Sequence, residues 1–132
     1  MVYSYYPISE EPKMALVYRV EDRKCIGPYR GQYYDIFMSH VKNRHTNDYP
    51  PVPYYDNNIN RFIKDSEKCG FKDLQQFRKW FNLRDRRLLH SLGFVLAVYE
   101  AKEIEYGKYQ VLFDKENVCK IQEYSLLTKK RY

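Results

Sequence analysis

No apolar run in this 132-residue chain approaches the roughly 18 residues of a membrane-spanning helix, so no transmembrane span is expected. The opening Met1-Val2-Tyr3-Ser4-Tyr5-Tyr6 has neither a basic leader nor an apolar segment. That predicts no secretory signal and a cytoplasmic location. Cysteine is scarce: Cys25, Cys69 and Cys119 are odd in number, widely spaced and without a CxxC pair. A disulfide framework and a zinc site are thereby excluded, and the thiols read as buried or indifferent in a reducing compartment. The sequence suggests no His partner for a Cys nucleophile. GxGxxG, a phosphate-binding P-loop, HExxH, GxSxG and an EF-hand loop are all missing. His40 and His45 stand five apart, a poor spacing for a metal pair on a helix, and His90 sits beside Leu88 and Leu89 ahead of Gly93. All three read as structural, and no metal is expected.

What is present points to a folded chain with one core. Hydrophobic residues make up 44% and charged residues 30%, a globular rather than disordered balance. Lys and Arg outnumber Asp and Glu by 23 to 17, a net charge of +6 that attracts anions: nucleic acid, a nucleotide or an acidic protein. The densest basic groups are Arg78/Lys79, Arg84/Arg86/Arg87 and Lys129-Lys130-Arg131. They read either as a solvated surface with a basic tail or as a nucleic-acid footprint, with Arg84, Arg87 and Lys79 near one helical face. Fifteen Tyr suit ligand and partner surfaces and ordinary strands equally well.

The pattern divides the chain into an N-terminal arm over 1–13, an α+β domain over 14–128 and a basic tail over 129–132. Met14 to Val20 predicts a strand, and Gly27-Pro28 a turn. Tyr33 to Val41 fits a strand or a short helix. Asn43 to Asn58, with Pro50, Pro51 and Pro53 among tyrosines, predicts a long loop whose 49–55 segment covers a pocket or engages a partner. Helices are predicted over Asn58–Lys68, Asp73–Phe81 and Leu83–Leu92, the second with Leu74, Phe77, Trp80 and Phe81 on one face. Trp80 reads as core. Strands are predicted over Phe94–Glu100, Ile104–Tyr106, Tyr109–Phe113 and Val118–Leu127, with a turn at Asp114–Asn117. The expected fold class is α+β: a small mixed or antiparallel sheet with a central helical block.

Two of these strands carry a resemblance. Leu16-Val17-Tyr18-Arg19-Val20 and Gln110-Val111-Leu112-Phe113 resemble signature strands of the ADP-ribosyltransferase fold, arginine-type branch. The resemblance implies that Arg19 contacts NAD from the first strand and that Gln110 stands at the catalytic glutamate position. Tyr18, Tyr29 and Arg30 would line the same nucleotide site, with 49–55 as its lid. Gln110 and Lys108 both stand where that branch has carboxylates, and the aromatic-Ser-Thr-Ser signature has no counterpart. A wider pattern is similar to short bacteriophage and prophage proteins: Tyr18-Arg19-Val20-Glu21-Asp22, Gly27-Pro28, Cys69-Gly70-Phe71 to Trp80-Phe81, Gly93-Phe94 and Gly107 to Phe113. That similarity brings no activity with it.

Three functions follow as expectations. The first is a phage-type accessory protein whose degenerate site binds a nucleotide or a host protein and interferes with a host enzyme or defence system, in the host cytoplasm. The second is an active NAD-dependent ADP-ribosyltransferase or NAD glycohydrolase. The third is a basic nucleic-acid-binding module. NAD is the cofactor implied by the resemblance, and nothing else in the residues demands one.

Overall fold

A computed structural model describes residues 14–42, 44–45, 56, 59 and 61–129. The arm over 1–13, the 49–55 segment and the last three residues of the basic tail lie outside the described residues. The elements, in chain order, are β1 (Ala15–Glu21), α1 (Tyr34–Val41), β2 (Glu67–Gly70), α2 (Leu74–Trp80), α3 (Leu83–Ser91), β3 (Val95–Ala101), β4 (Ile104–Tyr106), β5 (Val111–Asp114) and β6 (Cys119–Tyr124). A 3₁₀ turn over Lys115–Asn117 links the last two strands.

The expected sheet is in fact two, each of three antiparallel strands. One runs β1-β3-β6 and the other β2-β5-β4. Among the described residues one backbone bridge links them: the Tyr18 amide donates to the Phe71 carbonyl at 2.8 Å and the Phe71 amide to the Tyr18 carbonyl at 2.7 Å. Close approach there depends on Gly70, since a Cβ on it would lie 2.9 Å from the Tyr18 carbonyl oxygen.

Side chains alternate across a strand, so β1 faces two cores at once. Tyr18 and Val20 pack with Phe37, Phe77, Phe81, Leu89, Phe94 and Leu96 under the helices. Val17 turns the other way, into a smaller core with Ala97, Tyr99, Val111 and Phe113. Each fully buried Phe or Leu contributes about 1.5–3 kcal/mol. The paired helices are well capped. Asp73 accepts the Gln76 amide at 2.7 Å, and Asn82 and Asp85 close a reciprocal capping box. Gly93, at φ 94°, ends α3 and lets the Phe94 amide reach back to Leu89 at 3.0 Å.

One predicted helix is absent. Within Asn58–Lys68, residues 61–66 are irregular and Glu67 opens β2. The cause is non-local: Glu67, Lys68, Cys69 and Gly70 pair with Asp114, Phe113, Leu112 and Val111. Arg61 grips the Glu67 carboxylate with two N–H groups at 2.9 and 2.7 Å. A strand therefore interrupts the helical block, and the segment Tyr34–Val41 resolves as helix.

Candidate functional site

A cleft of about 690 Å³ lies beside the β1–β2 bridge. Its walls come from Arg19 and Val20 on β1, the turn over 25–31, residues 61–63, β2 with Phe71, the Trp80-Phe81 end of α2, and Gln110. The turn is shaped by Asp22, whose carboxylate accepts the Lys24 and Ile26 amides at 2.8 and 3.0 Å, and by Cys25, held at φ 62°.

Arg19 reaches across the split between the sheets. One Nη donates to the Cys69 carbonyl at 2.8 Å, and Nε lies 3.3 Å from the Glu21 carboxylate. A methyl on Gly27 would sit 3.2 Å from the other Nη, so glycine there lets the guanidinium lie against the turn. Behind it, Glu21 is wholly buried. It accepts the Tyr99 hydroxyl at 2.8 and 2.9 Å and faces Lys120 at 3.0 Å and Lys115 at 3.6 Å. Burial opposes ionisation of Glu21, but the Tyr99, Lys120 and Cys25 hydrogen bonds and the Lys115 charge outweigh it, holding its pKa below the usual range. Burial and the adjacent Glu21 push the Tyr99 phenol far up.

On the opposite wall, the Trp80 indole donates to the Tyr29 hydroxyl at 2.8 Å, which shares a 2.8 Å hydrogen bond with His45 Nδ1. His45 Nε2 in turn lies 3.1 Å from the Trp80 carbonyl and 3.9 Å from the Asp85 carboxylate. Burial drives the Tyr29 phenol well above its ordinary value and pulls His45 below 6.5. Asp85, also wholly buried, is bound by Arg44, by His40 at 3.1 Å and by the Asn82 amide at 3.0 Å. Burial disfavours its charge, yet Arg44 and Asn82 hold it below 3.8. At the mouth, Arg61 lowers Glu67 to about 2 and also bonds Glu105. Burial pushes the Cys69 thiol up to about 11, so no thiolate stands ready on β2.

Gln110 is almost wholly buried at the head of β5. Its position is set by the β4–β5 turn, where the Gly107 amide donates to the Gln110 carbonyl at 2.8 Å. Buried Asp56 accepts the Lys108 and Tyr109 amides at 2.7 and 3.1 Å. A Cβ on Gly107 would overlap that carboxylate, so the turn takes no larger residue without shifting Asp56.

A protein-family model described as Bacteriophage T4 Y00F protein matches residues 14–127. The chain belongs to that family. No curated protein and no solved structure matches it. Among the described residues of this Y00F-family protein, no helix is long and apolar enough to cross a membrane, and no His/Cys/Asp/Glu group has the makings of a metal site.

Four of the five residues singled out from the sequence line this one cleft: Arg19, Tyr29, Arg30 and Gln110. Tyr18 does not. It follows Val17 and precedes Arg19 on the same strand, so its ring points to the opposite face and is buried in the helical core. That parity was readable from the sequence once the strand was assigned. Trp80, read as core, is half-buried and also walls the cleft. Glu21, Tyr99, Lys115 and Lys120 carried no sequence signal, because three chain segments meet to form their cluster. The basic groups of the Y00F-family chain are partly structural. Arg78 donates to the Thr128 carbonyl at 2.8 Å, and Arg86 donates to the Phe81 carbonyl at 3.2 Å while lying over the Phe77 ring. Arg84, Arg87 and Lys79 are exposed.

Proposed function

We propose that this phage-family protein is an accessory nucleotide binder with a degenerate, ADP-ribosyltransferase-like site, working on a host enzyme or defence system by occupancy rather than turnover. The observation that carries the reading is the meeting of Arg19, from β1, and Gln110, at the head of β5, in a single cleft with Tyr29 and Arg30. These are the positions at which the resemblance calls for a nucleotide-gripping arginine and a sugar-orienting carboxylate. Arg19 is already fixed by Cys69 and Glu21, so it offers its charge without reorganisation. Arg30, exposed at the rim, adds a second cation for phosphate.

The chemistry favours binding. Breaking a nicotinamide–ribose bond builds positive charge on the sugar, and a carboxylate at the Gln110 position would stabilise it. A carboxamide still hydrogen-bonds a ribose hydroxyl but supplies no negative charge. Lys108, at the second expected carboxylate position, carries the wrong sign.

Proton NMR of the protein with NAD tests the reading, following line broadening and free nicotinamide over hours. Broadening without nicotinamide release is expected, weakened in Arg30→Ala and lost in Arg19→Ala. Release that vanishes in Arg19→Ala would replace the reading with an active glycohydrolase or transferase. No broadening with NAD, AMP or ADP-ribose would remove the nucleotide and leave a host-protein partner, to be sought by pull-down.

A further inference from the structure

A second hollow, of about 450 Å³, adjoins the cleft. The two share Trp80 as a wall. Phe71 of the cleft is followed by Lys72 of the hollow, and Tyr109 of the hollow by Gln110 of the cleft. Trp80 is common to both linings, and the other two borders fall between chain neighbours.

The chemistry of the hollow is one-sided. Lys72, Lys79 and Lys108 surround it, all exposed, and none of the three is ion-paired among the described residues. The carboxylate on its wall, Asp73, is engaged at the start of α2 through the Gln76 amide at 2.7 Å. Three ammonium groups gathered around one concavity repel each other and create a focused positive potential. Two aromatic residues, Trp80 and Tyr109, line it as well, with the Lys108 ammonium 5.2 Å from the Tyr109 ring centre. Cations interleaved with aromatic rings suit a single strand of nucleic acid, whose phosphates take the charge and whose unpaired bases stack. A duplex keeps its base faces stacked inside, away from such rings. Space agrees: ligand pockets run about 300–1,000 Å³, so the cleft alone accommodates one nucleotide and the hollow adds room for its neighbours.

We infer that the nucleotide site continues past Trp80 and takes a single-stranded oligonucleotide. One nucleotide occupies the cleft, and the phosphates of its neighbours lie on Lys72, Lys79 and Lys108. This rests on the nucleotide reading of the cleft. It also shifts the nucleic-acid face suggested by the sequence: Lys79 on α2 stays, and Lys72 and Lys108 take the place of Arg84 and Arg87.

Trp80 is the chain's single tryptophan, so its fluorescence reports on the shared wall. The test titrates wild type and the triple variant Lys72→Ala/Lys79→Ala/Lys108→Ala with AMP, an eight-residue oligo(dT) and an oligoglutamate of matching charge. The oligonucleotide is expected to quench Trp80 and to bind at least about tenfold more tightly than AMP at low salt. In the triple variant that advantage is lost. The log–log salt slope becomes shallower by about 2, the share of three phosphate contacts on a single strand, while AMP affinity is unchanged. AMP binding with no oligonucleotide advantage overturns the extension and leaves the cleft reading standing. An unaltered slope in the variant, or oligoglutamate binding as tight as oligo(dT), also overturns it. Lysine-dependent oligonucleotide binding without AMP binding overturns the mononucleotide reading and retains the strand site. Silence with every probe overturns both.

Discussion

Glu21 and Asp85 are both wholly buried carboxylates ringed by cations, and both are held below their ordinary pKa. Their surroundings differ in kind. Glu21 is met by an arginine and two lysines, Arg19, Lys115 and Lys120, together with the Tyr99 hydroxyl. Asp85 is met by two histidines and by Arg44, whose side chain is 42% exposed. The first cluster ties β1, β3, β6 and the 3₁₀ turn together behind the cleft's arginine. The second ties α1 to α3 and reaches the cleft through His45, Tyr29 and Trp80. Equal burial thus serves two purposes: one carboxylate anchors an arginine and two lysines, and the other belongs to a network containing His45, whose pKa burial lowers.

Removing each acid is the strongest way to break this comparison. Glu21→Ala leaves three cations crowded around an empty site and should cost about 3–5 kcal/mol, the range for breaking a buried ion pair. Asp85→Ala should cost less, about 2 kcal/mol. Solvent reaches Arg44, and part of the loss is the capping box, which is worth about 1 kcal/mol. Urea unfolding midpoints of the two variants measure the difference, and equal losses would erase the distinction.

Acidity sharpens it. Both carboxylates have lowered native pKa values, so the stability they confer is complete above about 4.5 and is lost as pH falls through those lowered values. His45 adds an earlier step. Its native pKa is depressed, the unfolded chain takes up its proton below about 6.5, and stability declines as pH falls from there toward the native value. Thermal midpoints recorded across this range should therefore fall in two stages. His45→Asn should flatten the upper stage and leave the lower one intact. An upper stage that persists in the variant would assign it to another group.

The smallest expected effect lies at the turn. Cys25 adopts φ 62°, where glycine is unstrained, so in Cys25→Gly relief of backbone strain of about 1 kcal/mol should largely offset the thiol's lost contacts with Glu21 and Lys120. A loss above about 2 kcal/mol would mean that the thiol is integral to the Glu21 cluster.

Local pattern made much of this fold legible. The apolar run before Glu21, the run after Gly93 and the Leu74/Phe77/Phe81 face place β1, β3 and α2 within a residue or two. β2 was illegible because Glu-Lys-Cys-Gly has no strand character of its own, and its conformation comes from β5, more than forty positions away. The site divides along the same line. Arg19 and Gln110 were reachable through the strands they begin or occupy. Glu21, in a charged run that reads as solvent-facing, is buried because lysines from the far end of the chain close over it. Tyr18 marks a different lapse, a parity that the strand assignment already dictated.

The Tyr18–Phe71 bridge joins the sheets through main-chain atoms alone. Every replacement except proline keeps the amide and the carbonyl at either residue, so the joint survives most changes of side chain there as long as Gly70 beside it stays small. The cleft is not separate from that frame: Arg30 and Ile63 on its wall are exposed, but Gly70, Phe71 and Phe81 belong to cleft and core alike. The hinge of the two sheets is thus also a wall of the cleft, so a change at Gly70 or Phe71 that loosens one reshapes the other.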